Sequence, residues 1–179
     1  VSTEKPELSP LEAFQKYGAL GPDFLTWVLI RTLGEGVPAP TSEPALSVNI
    51  HGPLVFTGED GEAKKVTMAG EEAASAPEVN SALRQGKRLT RAKLIFTAQE
   101  DTWTFTLDAE FFDLKSIKLP VPAMPDLETY LELRLQSTAR LYFLVDELFD
   151  LFLKERLDPE GWPAEVKSWK KPIKTTNKD

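Results

Sequence analysis

The sequence has no cysteine and a single histidine, His51. Without cysteine there is no disulfide framework and no thiolate metal site, which fits a reducing compartment. With one histidine neither an HExxH zinc site nor a His-paired metal set can form. A Ser-His-Asp arrangement would have to use His51, which reads as a residue at a strand end. Long apolar runs are also missing. No segment approaches the ~20 residues of a membrane span, and Val1–Pro10 is polar and acidic, with no signal-peptide core. The expectation is a soluble, cytoplasmic protein with no membrane partner. Gly34, Gly36, Gly58, Gly61 and Gly70 fit neither GxxxxGK(S/T) nor GxGxxG, so no nucleotide-type cofactor is expected.

Positive charge is in the minority: 21 lysines and arginines stand against 28 acids, a net charge of -7. Such a chain does not coat nucleic acid with its whole surface, and where the cations sit matters more than their sum. The 179 residues suit one domain, long enough to bury roughly 70% of its unfolded surface.

Val1–Ser9 reads as a disordered leader. Ser9 as N-cap, Pro10 in the first turn and Glu12 as the far side of a capping box start a short helix that runs to about Tyr17. Gly21-Pro22-Asp23 starts a second helix. Its residues Phe24, Leu25, Trp27, Val28, Leu29, Ile30 and Leu33 are apolar on more than one face, so it is buried on both sides. Leu46, Val48 and Ile50 alternate with polar residues as in a strand. Gly52-Pro53 is read as a turn into a second strand, Leu54–Thr57. Gly58–Gly61 is a hairpin turn before a strand at Lys64–Met68. A helix from Pro77 to Gln85 ends at Gly86. Strands follow at Leu89–Ala98, at Trp103–Leu107 with its alternating threonines, and at Phe111–Leu119. Asp126 caps a long helix to about Leu157, and Trp162–Trp169 adds a turn or two. The predicted fold is α+β: an antiparallel sheet of about five or six strands, packed by an N-terminal helix and a long C-terminal helix. One domain is expected over residues 10–169, with a basic tail over 170–179.

From Leu141 the long helix carries a wide apolar face that must be covered by the sheet and the Trp27 helix or by a second subunit. Leu141, Leu144, Leu148, Leu151 and Phe152 are the candidate dimer or partner interface. Asp146 and Asp150, with Glu147 between them, share a helix face that in principle seeds a magnesium site and a metal-dependent nuclease. A solvated helix face is the commoner meaning, and no metal or catalytic site is assigned. Arg84, Lys87, Arg88, Arg91 and Lys93 occur with no acid between Glu78 and Glu100, a candidate phosphate-binding patch. Lys167, Lys170 and Lys171, interleaved with Trp162 and Trp169, form a second candidate, in which the indoles would stack on bases or sugars.

Several of these segments occur in the same order in one branch of the RdgC-type recombination-associated proteins. Gly21–Trp27 (GPDFLTW) is similar to that branch's GxxFLTWL segment, and Ala82–Lys87 (ALRQGK) to its ALxxGK step. Arg91–Leu94 and Trp103–Leu107 resemble its next strand pair, Leu114–Pro120 its strand ending in KLP, and Leu148–Arg156 its closing helix. The likeness is to the C-terminal part of that family. It implies a non-catalytic protein, nucleoid-associated, that forms ring-like dimers around double-stranded DNA and restrains recombinase loading, with no cofactor and no small-molecule substrate. The rival expectation from the residues is a protein-protein interaction module without DNA binding.

Overall fold

The computed structural model describes residues 20–58, 65–70 and 77–172. The expected leader, the helix after Ser9, most of the Gly58–Gly61 turn and the end of the basic tail lie outside them. Among the described residues the order is α1 (Leu20–Leu33), β1 (Ser47–Thr57), β2 (Val66–Met68), α2 (Pro77–Arg84), β3 (Arg88–Ala98), β4 (Asp101–Asp108), β5 (Asp113–Lys118), α3 (Leu127–Arg156) and α4 (Gly161–Ser168). The five strands form one antiparallel sheet in the order β2-β1-β3-β4-β5. The α+β class expected from the sequence is the one observed.

Alternation along the strands decides which face is covered. Leu94, Phe96 and Ala98 of β3 and Trp103, Phe105 and Leu107 of β4 are buried, while the residues between them are at least partly exposed. Helices α1 and α3 lie on the buried face. Trp103 donates its indole N–H to the Ser137 hydroxyl of α3 at 3.0 Å. The Leu89 amide of β3 donates to the Thr26 hydroxyl of α1 at 2.9 Å, and that hydroxyl donates in turn to the Pro22 carbonyl. Phe24 to Leu29 are buried without a break, as the apolar run on more than one face predicted.

Two local expectations change. Gly52-Pro53 does not reverse the chain: β1 runs through it as one strand of 11 residues. Proline cannot donate to a ladder, and β1 accommodates it at a register irregularity between His51 and Val55. The expected strand from Phe111 starts at Asp113 instead. Phe111 is exposed and Phe112 takes a left-handed backbone, closing the β4–β5 turn. That turn lies against the start of α1 so closely that a Cβ on Gly21 would sit 1.9 Å from the Ala109 carbonyl oxygen. At the end of α2, Gly86 adopts a positive φ, with its amide bonded to the Leu83 carbonyl and the Lys87 amide to the Ala82 carbonyl. This is the Schellman stop that the glycine foretold.

The 30 residues of α3 span about 45 Å. Asp126 caps it by accepting the Thr129 hydroxyl and amide, and these bonds hold its carboxyl below the ordinary aspartate value. The two halves differ. Leu141, Leu144, Leu148 and Phe152 are buried and Leu151 is half-buried, all packed within the chain's own core. The candidate dimer face is therefore corrected: the sheet and α1 cover it, and no second subunit is needed to do so. The exposed leucines of α3 lie in the first half, where Leu127, Leu131 and Leu135 are 67%, 51% and 72% exposed, and in the second half Tyr142 and Phe143 are exposed beside the buried face.

Replacing Gly21 with alanine forces the Ala109 turn away from α1. The expected loss is about 1–3 kcal/mol or more, read as a lower denaturation midpoint with an unchanged m-value.

Candidate nucleic-acid interface

The uncovered face of the sheet is defined by register. Directly opposed residues point the same way, so three rows cross it. One runs His51, Lys93, Thr106, Lys115; the next Asn49, Ile95, Thr104, Lys118; and the last Ser47, Thr97, Thr102. Beside the first of these lie Val55, Arg91, Asp108 and Asp113. Arg91, Lys93, Lys115 and Lys118 thus share one face.

Lys115 and Lys118 are three apart, and in a regular strand they would point in opposite directions. The ladder slips between Thr104 and Thr106, and Ser116 there has φ 53°. One extra residue is absorbed, and both lysines emerge on the open side while Leu114 is buried and Ile117 packs against the core. A second irregularity sits at Thr90, which falls between the pairs Val55–Arg91 and Phe56–Leu89. Its hydroxyl bonds the Val55 carbonyl and its carbonyl accepts the Ala109 amide. Leu89 and Thr90 are then both buried before the alternation resumes with Arg91 outward.

Asp108 partly neutralises this face. Arg91 donates to it at 2.9 Å and Lys115 at 3.2 Å, and its own side chain is only 5% exposed. Burial pushes its carboxyl up, but the hydrogen bonds and charges of Arg91 and Lys115 together outweigh burial and hold it below the usual 3.8. Both cations remain about half exposed, and Lys115 also lies 3.6 Å from the exposed carboxylate of Asp113. Lys93 and Lys118 have no carboxylate partner among the described residues.

The five-residue cluster read from the sequence is divided by the fold. Arg91 and Lys93 lie on the open face. Arg84 is exposed at the end of α2 and Lys87 is half-buried in the turn after it. Arg88 is withdrawn on the helix side. Its Nε binds one oxygen of Asp23 at 3.0 Å, while Arg156 binds the other at 3.0 Å. All three side chains are less than a fifth exposed, so Arg88 is spent on joining β3 to α1 and α3. This removes it from the candidate site.

The second cluster is also revised. Lys167, Lys170 and Lys171 are exposed on and just after α4, but Trp162 and Trp169 are buried. The two indoles meet edge to face at 5.3 Å, with Arg156 over Trp162 and Arg88 over Trp169 at 5.1 Å each. Core burial takes both rings, so neither is free to stack on a base. Asp146 and Asp150 are exposed, and the intervening Glu147 accepts the Ser42 hydroxyl. Among the described residues no group of three or more His, Asp or Glu could hold a metal ion. No helix there is long and apolar enough to cross a membrane.

No family model, no curated protein and no solved structure matches this chain.

Two measurements check these assignments. Asp23→Ala removes the carboxylate that two poorly solvated guanidinium groups share and is expected to cost on the order of 3 kcal/mol, measured by chemical denaturation. Because the folded Asp108 carboxyl lies below its unfolded value, its contribution to stability is complete above about pH 5. It is lost as pH falls through the folded value. The stability gap between wild type and Asp108→Asn should therefore be flat near neutrality and close on acidification below about pH 4.

Proposed function

We propose that this chain is a non-catalytic, sequence-independent binder of double-stranded DNA, an accessory protein of recombination or replication of the RdgC kind. The observation that carries the reading is the grouping of Arg91, Lys93, Lys115 and Lys118 on one uncovered sheet face. Phosphate oxygens are met by such cations without reference to base sequence. The rows around them supply threonine, serine and asparagine, which also donate to phosphates. No phenylalanine, tyrosine or tryptophan belongs to these rows, and their one ring is the imidazole of His51. Single-strand binders stack bases on aromatic platforms, so the face favours a duplex backbone over unpaired bases. The acidic total is compatible with this, because Glu128, Glu132, Asp146 and Asp150 are exposed on α3, in the helix layer behind the sheet. The ordered sequence resemblance points the same way.

A second reading has its own support. Leu127, Leu131 and Leu135 form an exposed apolar stripe at four-residue spacing on α3, the pattern of a helix that meets a protein partner or a second copy. Leu131→Glu is expected to convert any dimer to monomer in light scattering while leaving DNA affinity per chain unchanged.

Duplex binding is measured by fluorescence anisotropy over a salt series. The wild type should bind at low salt and weaken steeply as salt rises. Lys93→Glu with Lys118→Glu should weaken it and lower the log–log salt slope by about 0.9 for each phosphate that is no longer neutralised. Lys167→Glu should have little effect, and Asp108→Asn should tighten binding. No binding at low ionic strength would exclude the proposal, and equal weakening by Lys167→Glu would move the site to α4.

A further inference from the structure

The two sides of β1 are unlike. One is paired to β3 along the strand, but on the other β2 meets only Leu54, Val55 and Phe56. No other described strand joins that edge, so among the described residues Ser47–His51 present backbone donors and acceptors outward with no strand beside them. Sheet edges are normally guarded by lysine, proline or a bulge. The opposite edge is: β5 carries Lys115 and Lys118 and is broken by the left-handed Ser116. Ser47–His51 has no lysine, arginine or proline, and its register with β3 is unbroken from Ser47 to His51.

Alongside this stretch lies a cleft of about 560 Å³, between the chain leaving α1 and the start of β1. Leu33, Val37, Leu46 and Val48 supply apolar walls, and among the described residues Glu35 is the only charged side chain lining it. Arg31, one turn back on α1, is held by Glu155 at 2.7 Å and does not offset Glu35.

We propose that this edge is a strand-addition site for an extended peptide segment of a partner protein. The segment carries apolar residues at alternate positions and a lysine or arginine at the end that meets Glu35. The outward row of amides and carbonyls is matched only by another extended backbone. Alternate side chains of that backbone enter the cleft and the others face away. The slot holds roughly five residues, because β2 closes it at Leu54. A second copy fits less well: its own Ser47–His51 edge offers no lysine or arginine to Glu35. This site borders the cationic sheet face, on which the side chains of Ser47, Asn49 and His51 stand, but it uses the backbone of that edge and does not depend on the face binding DNA.

The probes are fluorescein-labelled hexapeptides of alternating valine and threonine, one ending in lysine and one in glutamate, titrated by fluorescence polarisation. The lysine peptide should bind more tightly by about tenfold, and Glu35→Lys should reverse that preference. N-methylation of alternate peptide amides should abolish binding, and bound peptide should slow amide exchange within Ser47–His51. The proposal is overturned if neither peptide binds, if N-methylated peptide binds as well, or if the protected amides lie in Leu127–Leu135. It is also overturned if protection of Ser47–His51 grows with protein concentration alone, which would make the occupant a second copy.

Discussion

Phe24 through Leu29 are six consecutive buried residues, a run that a helix sustains only when it is held from two sides. β3 lies on one side of α1 and α3 on the other. Polar groups fix the geometry that apolar packing alone would leave loose: Thr26 receives the Leu89 amide, and Asp23 ties Arg88 of β3 to Arg156 of α3. Glu155 adds a second tie by accepting both the Trp27 indole and Arg31. Around these contacts Phe24, Phe112, Phe149 and Phe152 pack at centroid distances of 5.1–5.7 Å. Because α1 and α3 occupy one face of the sheet and no described element lies on the other, the cationic surface follows from that one-sidedness.

The consequence is a separation of charge that a net value hides. Arg88 and Arg156 face the helix layer and are matched by Asp23. Arg91, Lys93, Lys115 and Lys118 face outward, and only two of them meet Asp108. Asp108, with Asp113 beside it at 3.6 Å from Lys115, sets the spacing of Arg91 and Lys115 and leaves Lys93 and Lys118 without a carboxylate among the described residues. Fields of this kind draw polyanions to one surface of a protein whose total charge is of the same sign as the ligand.

Much of the fold was legible in the residues. Asp126 as a cap, Gly86 as a stop, the threonine alternation through β4 and the doubly apolar α1 are local patterns, and each appears where the pattern put it. Gly52-Pro53 misled because a proline that signals a turn in isolation is also tolerated at a bulge within a strand. The wide face from Leu141 to Phe152 was legible as apolar, but whether the chain or a second subunit covers it is a question of how α3 lies on the sheet. The cationic cluster was only partly legible. Arg91 and Lys93 obey period two, whereas Lys115 and Lys118 violate it and are united only by the slip at Ser116.

Taken alone, the sequence determined the elements, the α+β class and the absence of thiol chemistry. These depend on short-range periodicity, capping and composition, which are carried by residues close together along the chain. Tertiary structure decided which cations share a face, that Trp162 and Trp169 are buried and which stretch of β1 lacks a neighbour among the described strands. Those outcomes depend on strand register and on which side of the sheet the helices occupy. Such relations join residues tens of positions apart, and a one-residue slip reverses the direction in which a side chain points.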